Sequence, residues 1–371
     1  MKAISLFSGA GGMDIGAASL GIHTVFANDV LPEAAETHRL QFPETDFVLG
    51  DVKDVLSLPA ADLITGGYPC QSFSMGGNRR PENDRRTQLY TEYGRCVDTV
   101  SPRFFVAENV SGLGSIANGH WLEKQLTLFQ GLGNRGGYNL SWGVLRAEDY
   151  GVPQRRKRLF IVGVRRDIGL FYWFPNPTHG KPEDVAENGL LPYASHGDAI
   201  LGLPLWPTGE FYERPHDPEG HWSWYYMSRN RKARWASPSF TVVANFRHTT
   251  LHPASSTMRL VWSNLADGFK QKWEFTGEYE HLDGHPDRPR LEEPRRLSWR
   301  ECALIQTFPS AFEPAGKLER KFELIGNAVP PLLAASVLRP IVDGSGLRNE
   351  PPPRSLAAGT PIAAPTLPVA P

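Results

Sequence analysis

The sequence predicts an α/β protein with a doubly wound, mainly parallel β-sheet and a smaller irregular domain. Short apolar runs alternate with helical stretches along the first part of the chain, and the runs end in glycine or polar residues, as at Gly9, Asp29 and Asp51. Such alternation is typical of a parallel sheet covered by helices on both faces. Residues 167–294 differ, because proline, histidine and tryptophan are frequent there and no helical or strand periodicity persists.

Composition limits the class of protein. A chain of 371 residues exceeds the usual single domain. Its three cysteines, Cys70, Cys96 and Cys302, lack metal-ligand spacing, which argues against a disulfide framework or a zinc site and favours a reducing compartment. No long uncharged apolar run is present to span a membrane, so we expect a soluble cytoplasmic protein. The net charge of −1 does not indicate nucleic acid, but basic residues cluster at 155–158 and 229–234.

The first predicted strand, residues 3–7, leads through a glycine-rich loop at Ser8–Gly12 into a helix. Glycines let a backbone approach a ligand closely, and the N–H groups at the helix start favour polar or anionic groups. A cofactor loop and a plain tight turn are equally good interpretations of this stretch alone.

Further strands end at polar residues that we expect at the same edge of the sheet. The strand 23–27 precedes Asp29, which can accept hydrogen bonds from ribose hydroxyls or cap a helix. A third unit ends at Asp51 and Val52. A fourth strand, 62–65, leads through two glycines and Pro69 to Cys70, which is either a displayed reactive thiol or a thiol packed in a turn.

A fifth strand, 102–107, delivers Glu108, which the same rule brings near Cys70. A desolvated carboxyl group there can hydrogen-bond to a ring nitrogen, although a helix cap fits this segment equally well. Residues 138–145 and 159–164 are predicted as a terminal strand pair. In the extended chain between them Gln154, Arg156 and Arg158 point to one side, so two guanidinium groups can converge on one site.

These features divide the chain into a first domain at 1–166, an irregular second domain at 167–294 and a C-terminal segment at 295–343. A Pro/Ala-rich tail at 344–371 is expected to be disordered. In the third segment, Ser298 and Glu301 form a capping-box pattern, and the proline pair ending at Pro331 opens another helix.

The ordered set of motifs closely resembles the DNA (cytosine-5) methyltransferase family. The motifs are Leu6–Gly12, Pro69–Gln71, Glu108–Val110, the alternation of Gln154, Arg156 and Arg158, Arg296–Ser298 with Glu301 and Gln306–Pro309, and Gly326–Pro331. The resemblance implies the fold of S-adenosylmethionine-dependent methyltransferases and transfer of a methyl group to carbon 5 of cytosine. It also implies that residues 1–166 form the catalytic and cofactor-binding domain, that 167–294 form the target-recognition domain and that 295–343 complete the catalytic domain.

The resemblance also implies the catalytic roles. Cys70 would add to carbon 6 of the ring, because carbon 5 is a poor nucleophile until the ring becomes electron-rich. Glu108 would hold N3 and the exocyclic amine, Arg158 would contact O2, and Arg156 would support the site. The residue that removes the carbon 5 proton is not assigned.

For the cofactor S-adenosyl-L-methionine, the family pattern implies contacts along the glycine loop, at the ribose, at the adenine and from the C-terminal side. The residues are Phe7, Gly9, Gly11, Gly12, Asp29, Asp51, Val52, Pro69, Asn327 and Val329. Asp29 departs from the family, which commonly has glutamate there, so its shorter side chain makes the ribose contact less certain.

The implied partner is double-stranded DNA, from which the target cytosine must be flipped out. We expect DNA contacts from residues beside Cys70 and in the middle segment, namely Gln71, Ser74, Arg229, Arg231, Lys232 and Thr250. The resemblance further implies a monomer that belongs to a restriction-modification system, with a cognate endonuclease acting on the same sequence.

Three other functions remain open. A nicotinamide-dependent oxidoreductase would explain the glycine loop and Asp29, but not Cys70 or the arginine alternation. A catalytically silent DNA-binding module would not need the full catalytic set. An RNA-modifying member of the family, such as its tRNA-acting branch, is less favoured because the middle segment is long.

Overall fold

A computed structural model of the protein describes residues 1–69, 88–114, 119–213, 222–262, 271–281 and 288–352. The chain forms two compact units. The sheet unit contains Met1–Tyr150, Lys157–Thr178 and Ala328–Pro371, and the insert unit contains Gly151–Arg156 and His179–Asn327. These divisions differ from the predicted domain boundaries, because residues 151–156 and 295–327 group with the middle segment.

The sheet unit is built on a seven-stranded sheet in the order β3-β2-β1-β4-β5-β7-β6. The strands are β1 (Lys2–Leu6), β2 (His23–Asp29), β3 (Asp46–Leu49), β4 (Leu63–Gly66), β5 (Phe104–Val110), β6 (Tyr138–Arg146) and β7 (Lys157–Arg165). β1 to β5 are parallel, and β7 is antiparallel to both β5 and β6. The mainly parallel sheet predicted from the sequence is therefore confirmed, including its terminal strand pair.

Helices on this sheet are α1 (Gly12–Ala18), α2 (Pro32–Gln41), α3 (Leu89–Val100), α4 (His120–Gln130) and, from the C-terminal segment, α10 (Pro331–Val342). α3 and α4 are joined to the sheet by aromatic pairs. The ring of Phe105 on β5 lies 6.2 Å from that of Tyr93 on α3 and 5.6 Å from that of Phe129 on α4, centroid to centroid. Edge-on pairs of this kind add about 0.5–1.5 kcal/mol each beyond the area that they bury.

Two glycines let α10 pack closely on α1. A Cβ atom on Gly12 would lie 2.1 Å from the carbonyl oxygen of Val329, and one on Gly16 would lie 2.6 Å from that of Pro331. The C-terminal segment therefore reaches back to the glycine loop at the other end of the sequence. The stretch Leu318–Val342, which contains α9 (Leu318–Asn327) and α10, includes a window long and apolar enough to cross a membrane, but 72% of that window is buried inside the protein, as in a core segment.

The C-terminal residues 344–352 were expected to be disordered, but this part of the prediction is wrong. β13 (Leu347–Arg348) pairs with β8 (Phe171–Tyr172), and the guanidinium carbon of Arg348 lies 4.1 Å from the ring centroid of Trp173. The indole N–H of Trp173 also donates to the carbonyl oxygen of Glu350. These pairings order a stretch whose composition alone favours disorder.

The insert unit contains short elements. They are β9 (His179–Gly180), α5 (Pro182–Asn188), β10 (Leu191–Pro192), α6 (His196–Ala199), α7 (Trp224–Met227), β11 (Met258–Trp262), β12 (Gln271–Phe275), α8 (Trp299–Ile305) and α9 (Leu318–Asn327). The predicted capping box is present: Ser298 and Glu301 each bind the other's backbone N–H at the start of α8. Glu301 also forms a buried two-point ion pair with Arg295, at 2.6 and 2.9 Å.

Candidate active site

The glycine loop joins β1 to α1 in a left-handed backbone conformation. Phe7 and Gly9 both have φ of 54°, and Gly11 has φ of 73°. The backbone N–H of Gly9 donates to Oδ2 of Asp29 at 2.8 Å, and that of Leu31 donates to Oδ1 at 2.9 Å. Asp29 therefore holds the loop of the neighbouring strand as well as its own. Burial raises the pKa of Asp29, and the two N–H donors oppose that rise.

The third loop is held beside Asp29. The backbone N–H of Gly50 donates to the Asp29 carbonyl at 3.0 Å, and the Asn28 side-chain amide donates to the carbonyls of Val48 and Gly50. Asp51 follows, with its side chain 40% exposed and 3.2 Å from the Lys53 ammonium group. Val52 is buried. The structure thus brings the predicted cofactor residues of three strands to one edge.

Glu108 lies within β5 and not in a loop after it, because β7 pairs along β5 as far as Val110, which is opposite Arg158. This register sets Glu108 and Arg158 on adjacent strands. Nε of Arg158 is 2.7 Å from Oε1 of Glu108, and the two side chains are only 13% and 9% exposed. Burial lowers the pKa of Arg158, and the Glu108 carboxylate opposes that shift. The result is a buried ion pair at the carboxyl end of the sheet.

The segment that leads to Cys70 passes close to this pair. A Cβ atom on Gly67 would lie 2.8 Å from Oε2 of Glu108, so the glycine leaves the space that this oxygen occupies. The side-chain amide of Asn109 donates to the Tyr68 carbonyl at 3.2 Å, which ties the segment to β5. Pro69 is the last described residue before the gap.

Cys70, Gln71 and Ser74 lie outside the described residues. The other two cysteines are described and fully buried. Burial raises the pKa of Cys96 to about 11 and that of Cys302 well above its usual value. A thiolate is disfavoured at both positions. Of the three cysteines, Cys70 alone follows a strand at the edge that carries Glu108.

Arg156, which was predicted to converge with Arg158 on one site, is buried in the insert unit. Its guanidinium donates to the carbonyls of Val242 at 3.1 Å and Gly326 at 2.8 Å, while Gln154 accepts the N–H of Val242 at 2.9 Å. The alternation of side chains was predicted for a continuous strand, but β7 begins only at Lys157. Gln154 and Arg156 instead organise the insert unit.

The predicted DNA-contacting residues of the insert unit differ in exposure. Arg229 is exposed, whereas Arg231 stacks on Tyr226 at 4.8 Å and donates to its carbonyl oxygen. Lys232 is 7% exposed and 3.4 Å from Glu280, and Thr250 is buried as well. Their burial leaves Lys232 and Thr250 little surface for DNA. The sequence did not indicate this burial, because Glu280, the partner of Lys232, is distant in the chain.

The two C-terminal cofactor residues fall on different units. Asn327 is exposed at the end of α9 in the insert unit. Val329 is in the sheet unit, where its carbonyl oxygen faces Gly12 as described above. The sequence analysis assigned no role to Asn28, Gly67 or Asn109, whose contacts shape the site. Asn109 belongs to the motif Glu108–Val110, Asn28 precedes Asp29, and Gly67 is one of the two glycines before Pro69, and these positions were the available signal.

The fold is that of methyltransferases. The structure is similar to that of a "putative DNA modification methyltransferase" encoded within a prophage of E. coli, with a TM-score of 0.57, 23% identity and coverage of 92% of this chain and 99% of that one. It is also similar to the S. pombe Dnmt2 methyltransferase, with a TM-score of 0.59, 17% identity and coverage of 93% and 99%. At these identities the likeness shows the fold.

The chain belongs to the C-5 cytosine-specific DNA methylase family, whose model matches residues 1–343. It is 35% identical to the Type II methyltransferase M.BsuRI of Bacillus subtilis, over 92% of this chain and 79% of the relative. It is also 35% identical to M.FnuDI of Fusobacterium nucleatum, over 92% and 94%. The predicted family and enzyme class are confirmed, and the oxidoreductase and silent-module alternatives are excluded.

Proposed function

We propose that this enzyme methylates carbon 5 of a flipped-out cytosine in a specific short sequence of duplex DNA, with S-adenosylmethionine as methyl donor. The Glu108–Arg158 pair carries the proposal, because a buried carboxyl group and guanidinium at the carboxyl end of the sheet fit the hydrogen-bonding edge of a cytosine ring, which carries N3, O2 and the exocyclic amine. The family supports the reaction, and the names of the Type II relatives support DNA as the substrate and a place in a restriction-modification system.

The cofactor loops fit S-adenosylmethionine, which supplies an electrophilic methyl group when bound. The Ser8 hydroxyl is buried and without a hydrogen-bond partner among the described residues, so it can serve a polar ligand group. Each Asp29 oxygen accepts one backbone N–H and retains a lone pair for a ribose hydroxyl. Asp51 is exposed enough to accept from the adenine amine. Phe7 has the same left-handed backbone as Gly9 and is available to the adenine.

The chemistry begins with the thiolate of Cys70, which forms a bond to carbon 6 of cytosine. The electron pair of the C5–C6 double bond moves into the ring, so negative charge develops toward N3 and O2. Arg158 stabilises the charge at O2, and Glu108 holds N3 and the exocyclic amine. Carbon 5 becomes electron-rich as a result. Once carbon 5 has taken the methyl group that S-adenosylmethionine would supply, with the bond from that methyl group to the cofactor sulfur broken, loss of the carbon 5 proton and breaking of the C6–S bond restore the aromatic ring and the thiolate of Cys70.

DNA binding has to offset the cost of flipping the base, about a few kcal/mol. The insert unit supplies the target-recognition residues, with Arg229 as an exposed phosphate-binding cation. The buried Lys232 and Thr250 support the recognition loops from within the unit. The enzyme acts as a cytoplasmic monomer, and a partner endonuclease cuts the same sequence when it is unmethylated.

Bisulfite sequencing of a plasmid resident in cells that express the protein tests this function. Wild-type protein should leave 5-methylcytosine at one short sequence, and Cys70→Ala should leave none. Cys96→Ala, which makes the same change at a buried thiol, should retain the pattern. Unmodified cytosines despite soluble wild-type protein would refute the proposal.

A further inference from the structure

Arg95 on α3 clamps the loop that carries Asp51 and Val52. Its NH2 donates to the Val52 carbonyl at 2.8 Å, and its NH1 donates to the Val55 carbonyl at 3.1 Å. The guanidinium is planar, so two donors on one rigid group fix the relative position of the two carbonyls. The Val52 carbonyl also accepts from the N–H of Val55 at 3.1 Å, which closes a compact turn.

Glu92 holds the guanidinium in this orientation. It lies one helical turn before Arg95, and its Oε2 accepts from Nε of Arg95 at 2.8 Å. This bond raises the pKa of Arg95, so the clamp is charged throughout the accessible pH range. The Arg95 side chain is 35% exposed, so its removal leaves little buried space to fill.

The Arg95 clamp is one of two anchors that flank Asp51. On the N-terminal side, the Asn28 amide holds the Gly50 carbonyl at 3.0 Å. On the C-terminal side, Arg95 holds the Val52 carbonyl. The peptide unit before Asp51 and the peptide unit after Val52 are thus fixed by distant side chains, one from β2 and one from α3. Such bracketing sets where the Asp51 carboxylate can point.

α3 also contacts the strand that leads to Cys70. The hydroxyl of Tyr93 donates to the Ile64 carbonyl at 3.2 Å, and a Cβ atom on Gly66 would lie 2.6 Å from the Tyr93 ring. One helix therefore positions both the Asp51 loop and the end of β4.

We propose that Arg95 is a positioning residue for the adenine edge of the cofactor site. The inference rests on the proposed function, in which Asp51 accepts from the adenine 6-amino group. Arg95 touches no cofactor atom itself. It holds the loop so that the Asp51 carboxylate can accept a hydrogen bond from the adenine 6-amino group. The same carboxylate repels a purine that carries a carbonyl oxygen at that position, which lowers its affinity.

Binding of S-adenosylhomocysteine and of its hypoxanthine analogue, S-inosylhomocysteine, to the full-length protein tests the inference. Wild-type protein should prefer the adenine ligand. Arg95→Ala should lower the affinity for the adenine ligand about tenfold, the effect of one charge-assisted hydrogen bond. It should also bring the ratio of the two affinities toward one. Arg95→Lys, which can reach one carbonyl, should be intermediate. The kcat at saturating cofactor and the KM for DNA should change less than about twofold, since the loop acts on cofactor binding.

Arg165→Ala is the matched control. Arg165 also donates to a backbone carbonyl, that of Ser101, and to a carboxylate, that of Asp167, but it lies at the end of β7 away from Glu108. It should leave the affinity ratio at the wild-type value. An unchanged ratio in both Arg95→Ala and Arg95→Lys would overturn the inference while leaving the proposed function intact. Wild-type protein that binds neither ligand would overturn both.

Discussion

Nε of Arg158 lies 2.7 Å from Oε1 of Glu108, on strands that run antiparallel at the end of the sheet where the chain turns toward Cys70. The pair is nearly removed from solvent. A buried ion pair often contributes little net stability compared with apolar residues of the same size, so stability alone does not explain its presence. The proposed function gives this pair a catalytic role.

Glu108→Gln should lower kcat about 10²-fold to 10³-fold, as for loss of one group that stabilises transition-state charge. The amide keeps the shape of the side chain but cannot exchange a proton with N3, where negative charge develops. Methyl transfer to a duplex with saturating cofactor measures the effect. The KM for cofactor should stay within about twofold, and Glu123→Gln, an exposed site on α4, should match wild type. Full activity in Glu108→Gln would remove Glu108 from the mechanism.

Gly67→Ala should lower kcat and leave the protein folded. The added Cβ atom would lie 2.8 Å from Oε2 of Glu108. The end of this side chain can move away, but the Glu108 carboxyl group is then displaced from its position in the site. Rate measurements beside a thermal unfolding curve distinguish the two effects. A loss of kcat that is fully explained by a lower fraction of folded protein would show that Gly67 is needed for folding alone.

Gly12→Ala should destabilise the protein by about 1–3 kcal/mol or more, because overpacking forces the backbone apart. Here the obstacle is the Val329 carbonyl, 2.1 Å from the added atom, and a backbone group moves only with α10. Gly131→Ala provides the control, since its added atom would have one neighbour, at 3.9 Å. Urea unfolding of both variants measures the difference. Similar stabilities would contradict the packing of α10 on α1.

The unfolding free energy should fall as the pH is lowered from about 6.5 to about 4. Burial lowers the pKa of His196 to about 4 and that of His252 well below its usual value, so both are neutral when folded. The unfolded chain binds these protons near pH 6.5, so the stabilisation is complete above that pH and is lost as the pH falls. Urea unfolding at several pH values measures the slope. His196→Gln should reduce the slope, and an unchanged slope would contradict the assignment.

Much of the sheet could be predicted because the ends of its strands are indicated by residues that are adjacent in the sequence. Apolar runs that stop at Gly9, Asp29 and Asp51 predict strand-to-loop transitions, and parallel strands bring those transitions to one edge. The Ser298 capping box was equally local, since both of its bonds join residues three apart.

The remaining features depend on residues far apart in the sequence. β5 continues through Glu108 because β7 pairs with it, and the sequence around Glu108 does not reveal that partner. Arg156 binds carbonyls 86 and 170 residues away, so its direction could not be read from side-chain alternation. Lys232 is buried against Glu280, 48 residues later.

The central claim is that Cys70 adds to carbon 6 of the target cytosine. A duplex with 5-fluorocytosine at the target position tests it directly, since fluorine is not lost as a proton is and the adduct persists. With S-adenosylmethionine present, the account predicts a covalent protein–DNA complex whose linkage maps by mass spectrometry to the peptide that contains Cys70, and no complex for Cys70→Ser. A complex retained in Cys70→Ser, or none with active wild-type enzyme, would contradict it.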